Sequence, residues 1–220
     1  VGAQRAGTTW WHSMLTEHPD VFGPRVKEMH FFGRETVGRD PGELAAEYAQ
    51  YFPRPPGAVA GEWTPEYLHR KHVPGQLHAV VPDARLLVLL RDPIERYRSG
   101  AIRRPLKTED ALLRGLYATQ LRRYLDHFPR EQILVLQYER CLAEPAAELA
   151  RTLSFIGVDS DFVPKRFDTG GARSFKSAKG MEGRLLRRLM RKYEPEVAEL
   201  AELGFEVDLS LWPNFAHLDR

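Results

Sequence analysis

The sequence predicts an α/β fold, an open parallel sheet with helices on both faces, in a single domain of residues 1–220. Three observations carry this expectation. Leu86-Leu87-Val88-Leu89-Leu90 is an unbroken apolar run, too short for a helix and bounded by Asp83 and Pro93, the pattern of a strand buried on both faces. Amphipathic stretches at helical spacing separate it from a second strand-like run at 132–137. Parallel strands need crossover connections, which are usually helical, so this alternation points to a parallel sheet.

The elements follow in order. Residues 8–18 put Trp10, Trp11, Met14 and Leu15 on one helical face, and Pro19-Asp20 ends that helix. Residues 43–51 predict a short helix, after which Pro53, Pro55, Pro56 and Gly57 break the chain before a short strand at 58–61. Beyond the strand at 85–90, Asp92-Pro93 starts a helix to about Arg103, with proline in the first turn, where its missing N–H costs nothing. Leu112, Leu113, Leu116, Leu121, Leu125 and Phe128 predict one long amphipathic helix. The strand at 132–137 comes next, then a helix at 145–155. A Gly- and Lys-containing loop at 169–183 precedes a charged helix running to Leu203. Val1 stands directly before a glycine loop, so the rest of a first strand is expected upstream of it.

Composition bounds the function. Thirty-two Lys and Arg against 30 Asp and Glu leave a net charge of +2, which argues against a polyanion-wrapping surface and a nucleic-acid partner while leaving room for a local basic pocket. Cys141 is the single cysteine, so no internal disulfide forms and a reducing compartment, the cytoplasm, is expected. No apolar run approaches the roughly 20 residues that span a bilayer. No charged-then-apolar leader is present, so no membrane span is expected. The histidines at 12, 18, 30, 69, 72 and 78 are scattered rather than set at ligand spacing, and no metal site is expected.

Chemistry concentrates first in Gly2-Ala3-Gln4-Arg5-Ala6-Gly7-Thr8-Thr9. The Gly2-to-Gly7 spacing suits a loop whose backbone N–H groups and helix N-terminus close on a phosphate. By spacing alone it suits a ligand-free strand-to-helix turn equally well. A nucleoside-triphosphatase loop has Lys after its second glycine, reaching the β- and γ-phosphates. Here Thr8 stands there, and the cation, Arg5, lies inside the loop. That fits a nucleotide whose reactive group hangs on one 5′-phosphate, where a cation stabilises the departing charge. Arg91 follows the apolar strand at its carboxyl end, where open α/β sheets bind ligands, and Ser99 lies about two helical turns further on. Ser177-Ala178-Lys179-Gly180 adds a basic loop with a glycine that permits close approach to an anion.

These motifs resemble those of sulfotransferases dependent on 3′-phosphoadenosine-5′-phosphosulfate (PAPS), in particular the heparan-sulfate branch and related bacterial enzymes. Gln4 to Thr9 resembles the family's 5′-phosphosulfate loop, with Arg5 where the family has a catalytic Lys. Leu90-Arg91-Asp92-Pro93 through Ser99 resembles its 3′-phosphate motif. Lys27-Glu28-Met29-His30-Phe31-Phe32 is similar to the segment that supplies the acceptor's general base, and Gly61-Glu62-Trp63-Thr64-Pro65-Glu66-Tyr67 to a second active-site segment. Gly115-x-Tyr117 and Ser177 to Gly180 are similar to stretches lining the nucleotide. The heparan-sulfate enzymes carry Lys where this chain has Trp63, so a cation is replaced by an aromatic surface.

The resemblance implies a P-loop-type fold and sulfuryl transfer from PAPS to a hydroxyl, less often an amine, of a carbohydrate, glycolipid or secondary metabolite, with PAP as product and no metal. It implies Glu28 as base and Arg5 as stabiliser of the leaving phosphate; His30 is read beside them as a secondary hydrogen-bonding or acid/base residue, and Glu62 as a competing base. Donor contacts fall on Arg5, Ala6, Gly7, Thr8, Thr9, Arg91, Ser99, Lys179 and Gly180. Arg5 keeps the positive charge of the Lys it replaces, but its always-protonated fork is a poor proton donor. The competing readings are a P-loop small-molecule kinase and a non-catalytic nucleotide-binding module.

Overall fold

The computed structural model describes residues 1–103, 108–165 and 183–219. Its elements in order are α1 (Thr8–Leu15), β1 (Val21–Phe22), α2 (Pro41–Ala49), β2 (Val59–Ala60), α3 (Val73–Val80), β3 (Leu86–Leu90), α4 (Pro93–Arg103), α5 (Thr108–Leu113), α6 (Tyr117–Leu125), β4 (Ile133–Gln137), α7 (Tyr138–Ala143), α8 (Pro145–Ile156) and α9 (Arg184–Glu202). Both strand pairings are parallel. β3 lies beside β4 from Leu86 opposite Ile133 to Leu90 opposite Gln137, and β1 beside β2 from Val21 opposite Val59 to Phe22 opposite Ala60. The connections explain the direction: α2 lies between β1 and β2, and α4, α5 and α6 lie between β3 and β4. The Ala3 N–H donates to the Leu89 carbonyl at 3.0 Å, so the entry to the glycine loop is tied to β3.

Strand side chains alternate between faces, yet Leu86, Val88, Leu89 and Leu90 are all buried, so both faces of β3 are covered as its unbroken apolar run predicts. On one helical layer, Trp10, Trp11, Met14 and Leu15 of α1 are buried together, and Trp11 Nε1 donates to Thr152 Oγ1 of α8 at 3.3 Å. Elsewhere Leu121 and Tyr124 of α6 and Leu189, Tyr193, Val197 and Leu200 of α9 join the same contiguous core. Trp212 and Phe215, near the chain's end, are fully buried in it. Among the described residues, no helix is long and apolar enough to cross a membrane.

The single long helix expected from Leu112 to Phe128 is instead two, α5 and α6, broken at Arg114-Gly115-Leu116. Gly115 packs so closely on Tyr193 that a Cβ there would meet the ring at 2.7 Å, and the Tyr193 hydroxyl donates to the Leu112 carbonyl at 3.0 Å. The expected apolar face survives only in part: Leu112, Leu121 and Phe128 reach the core, whereas Leu113 is 43 % exposed because the break turns it outward. The turn also directs Tyr117 at β3's end, where its hydroxyl donates to the Arg91 carbonyl at 2.8 Å. Three further elements were not expected. β1 is only two residues long, α3 is disguised by Pro74-Gly75 in its first turn, and α7 follows β4 with no intervening loop.

Candidate functional site

Gly7 holds φ of +84° and sits at the N-cap of α1. A side chain is excluded twice over: by that left-handed conformation, and because a Cβ would lie 2.6 Å from the Tyr138 ring. Helix α1 has neither a side-chain cap nor an acidic residue in its first turn, so its positive end is available to an anion. Arg5 also adopts a left-handed conformation, φ +74°, and its Nε–H donates to Ser99 Oγ at 3.3 Å. Ala6 is wholly buried beneath the loop, while Thr8 and Thr9 begin the helix.

Arg91 leaves the carboxyl end of β3 and lies over the Tyr138 ring, 4.9 Å from its centroid. The same ring packs on Gly7, so Tyr138 joins the glycine loop to Arg91. Its position just past β4 is the strand-end signal that could have revealed it. Asp92 is fully buried. Its Oδ1 accepts from the N–H groups of Ile94 and Glu95 at 2.8 and 3.2 Å, capping α4, and its Oδ2 accepts from Asn214 Nδ2 at 2.8 Å. Glu139 accepts from the Asp92 N–H at 3.0 Å and from Trp212 Nε1 at 2.9 Å. Burial pushes the Glu139 carboxyl up to about 7, and burial also raises Asp92. The strand ends thus fix Arg91 and the start of α4, which carries Ser99, now 3 % exposed.

The segment 27–32 forms a second cluster. Among the described residues, the non-glycine positions with left-handed φ are Arg5, Glu28 and His30, the last two at +54° and +53°. Such conformations cost on the order of 1–3 kcal/mol each and concentrate at functional sites. A cavity of about 270 Å³ is lined by Thr9 of the loop together with Glu28, Lys27, His12 and Trp63. Lys27 Nζ stands 4.6 Å from the Trp63 ring centroid, and His12 stacks on Trp63 at 4.4 Å. Burial, and then the Lys27 charge, hold His12 below the ordinary imidazole range. His30 faces a neighbouring cavity of about 390 Å³ with Arg34, Glu66, Arg70 and His72. His30 Nε2 lies 3.8 Å from Glu28 Oε2, and its Nδ1 lies 3.4 Å from Glu66 Oε2.

The structure therefore brings Arg5, Gly7, Arg91 and Ser99 into one cluster and Glu28 and His30 into another, joined through Thr9. Glu62 belongs to neither: its two oxygens accept from the Tyr48 hydroxyl at 2.9 Å and from Thr64 Oγ1 at 2.7 Å. Gly115 and Tyr117 act on the donor cluster indirectly, through the Arg91 carbonyl. Ser177, Lys179 and Gly180 lie outside the described residues. Sequence reasoning missed Tyr138, Glu139, Asn214 and Glu66. Tyr138 and Glu139 carry a sequence signal in their place at a strand end, and Glu66 lies inside the Gly61-to-Tyr67 segment without anything local that marks its role.

Comparison with known proteins gives a consistent result. A family model described as "Sulfotransferase family" matches residues 43–162. The chain is similar to the crystal structure of a sulfotransferase from Alicyclobacillus acidocaldarius, at 30 % identity and a TM-score of 0.76, covering 96 % of each chain. It is also 30 % identical over 206 residues to heparan sulfate glucosamine 3-O-sulfotransferase 3B1 of Homo sapiens, covering 83 % of this chain and 51 % of that protein. A lower similarity, 24 % over 221 residues, reaches the human bifunctional heparan sulfate N-deacetylase/N-sulfotransferase 3, covering 84 % of this chain and 24 % of that one. The chain spans about half the length of the 3-O-sulfotransferases it matches.

Proposed function

The chain belongs to the sulfotransferase family, and from that premise we propose that it moves a sulfuryl group from PAPS to a hydroxyl of a carbohydrate acceptor. One observation carries the reading: Arg5 Nε–H reaches Ser99 Oγ at 3.3 Å, which joins the 5′-side loop to the Arg91–Ser99 motif. The residues present fit the donor. Gly7 at the uncapped start of α1 and the Arg5 guanidinium suit the 5′-phosphosulfate end, and Arg91 with Ser99 suits the 3′-phosphate. When bound, PAPS supplies the sulfuryl group and the leaving phosphate.

The chain's own groups do the rest. Arg5 stabilises charge on the leaving phosphate oxygen without giving up a proton. Glu28 takes the proton of the acceptor hydroxyl, and its place beside Thr9 keeps the acceptor next to the donor loop. Glu62 is a weaker candidate base because Tyr48 and Thr64 already occupy both of its oxygens. The cavity at His30 shares Arg34, Arg70 and His72 with a second cavity of about 230 Å³ that His69, Lys71 and Arg123 also line. That basic lining supports a carbohydrate bearing negative charge, in keeping with the names of the heparan sulfate relatives. One contiguous core among the described residues supports reading the chain as one sulfotransferase domain.

A kinase reading is not favoured, since Thr8 stands where a triphosphate loop needs Lys. Calorimetry with PAP and with ATP, each with and without Mg²⁺, tests donor choice: PAP binds regardless of the metal. Transfer of label from radiolabelled PAPS to a panel of anionic and neutral saccharides tests catalysis. Tight PAP binding with no transfer to any acceptor would leave a non-catalytic module instead.

A further inference from the structure

The carboxylate of Glu66 is divided between two tasks. Its Oε1 accepts from Arg70 Nη2 at 2.7 Å and from Arg114 Nη2 at 3.2 Å, while its Oε2 faces His30 Nδ1 at 3.4 Å. Arg114 is itself clamped, its Nε–H donating to Asp110 Oδ2 at 2.9 Å. Burial alone would raise the Glu66 carboxyl, but the Arg114 and Arg70 guanidinium groups outweigh it and hold Glu66 below the usual carboxylate range. Glu66 is thus a fixed anion and acts toward His30 as an acceptor. The backbone beside His30 is also held, because the Phe32 N–H donates to the Tyr67 hydroxyl at 3.1 Å, on the same short helical turn as Glu66.

We propose that Glu66 is the positioning residue of the base, keeping a proton on His30 Nδ1 so that the Nε2 lone pair is turned toward Glu28. The proposal rests on the reading of Glu28 as the base. Both ring nitrogens face a carboxylate, and the shorter approach to the clamped Glu66, 3.4 Å against 3.8 Å to Glu28, favours the proton at Nδ1 and leaves Nε2 to accept once Glu28 has taken a proton. His30 Nε2 lies 3.8 Å from Glu28 Oε2, a separation that a small side-chain adjustment closes on acceptor binding. As the new sulfur–oxygen bond forms and the bond from sulfur to the leaving phosphate oxygen breaks, Glu28 takes the hydroxyl proton. That proton then passes from the Glu28 carboxyl to His30 Nε2, which regenerates the carboxylate. His30 is half-exposed, so the resulting imidazolium returns the proton to water while Nδ1–H stays on Glu66.

The competing account is that Glu66 serves only as an ion-pair anchor for Arg114. Glu66→Gln separates the two. With its oxygen retained toward the arginines, the amide presents an N–H₂ group to His30 Nδ1, which favours the opposite tautomer. The expected result is a change in the His30 tautomer by heteronuclear NMR of its ring nitrogens and a fall in kcat of about tenfold or more, with the PAPS KM unchanged. Glu66→Asp, which keeps the charge, is expected to retain more turnover than the Gln variant, and it carries the comparison alone should that variant unfold. An unchanged His30 tautomer with kcat within about twofold of the parent, even alongside reduced thermal stability, would overturn the proposal. Glu28→Gln in the same assay isolates the premise: parent-like turnover there removes Glu28 as base, whereas the tautomer reports the Glu66–His30 geometry independently.

Discussion

The two clusters of the site are built in opposite ways. Arg91 and Ser99 are 9 % and 3 % exposed as whole residues and hang on strand ends, a helix start and the C-terminal segment through Asp92, Glu139, Tyr138 and Asn214. Glu28 and His30 keep 38 % and 49 % of their side chains exposed, sit on a loop and are held by ion-pair distances rather than close hydrogen bonds. The difference follows from what each cluster would bind. A nucleotide donor is one fixed shape and rewards a rigid, pre-organised cradle, whereas an acceptor must enter, react and leave, which suits loops.

This contrast can be broken by substitution. Replacing Glu28 with Gln is expected to lower kcat by about 10²-fold or more while leaving the melting temperature and PAP affinity as in the parent, because the loop carries little of the fold. A stability loss matching the activity loss would erase the distinction. Arg5→Ala is expected to reduce kcat by about 10²-fold and to weaken PAP binding as well, since Arg5 also meets Ser99. Calorimetry and single-turnover transfer read the two effects separately.

On the donor side, structure and binding should fall together. Gly7→Ala forces a Cβ at φ +84° against the Tyr138 ring, and an unfolding cost of about 1–3 kcal/mol is expected in urea melts, with PAP affinity reduced alongside. The gentlest probe is Glu139. Its folded value of about 7 exceeds the ordinary 4.5, so across that range the folded protein holds a proton that the unfolded chain has released. Stability should therefore decline as pH rises through this interval. Glu139→Gln is expected to flatten the decline, leaving the contribution of Asp92; an unchanged slope in melts at both ends of the range would place its origin elsewhere.

Legibility in the sequence tracked the same divide. The buried face of α1, the apolar run of β3, the proline start of α4 and the Arg91-to-Ser99 spacing could all be read directly, because each is set by local periodicity or by a residue's own backbone preference. The break between α5 and α6 could not. Its cause is the Tyr193 ring against Gly115, a contact between residues 78 positions apart. Glu66 was hidden for the same reason: it stands in the Gly61-to-Tyr67 segment, but its significance lies in Arg114 and His30, which approach from other segments.

Local sequence is enough for the alternation of elements, the phosphate-type loop with Arg5 inside it, and the resemblance to the sulfotransferase family. Periodicity, proline and glycine act over a few residues, and a short motif keeps its spacing wherever the chain folds. Tertiary structure decided which carboxylates are free to work. Glu62 is engaged by Tyr48 and Thr64, Glu139 is half-buried and accepts from Trp212, and Glu66 is clamped by two arginines while facing His30. All are glutamates in the sequence, and their roles differ because partners from distant segments set each one's charge, contacts and access to water.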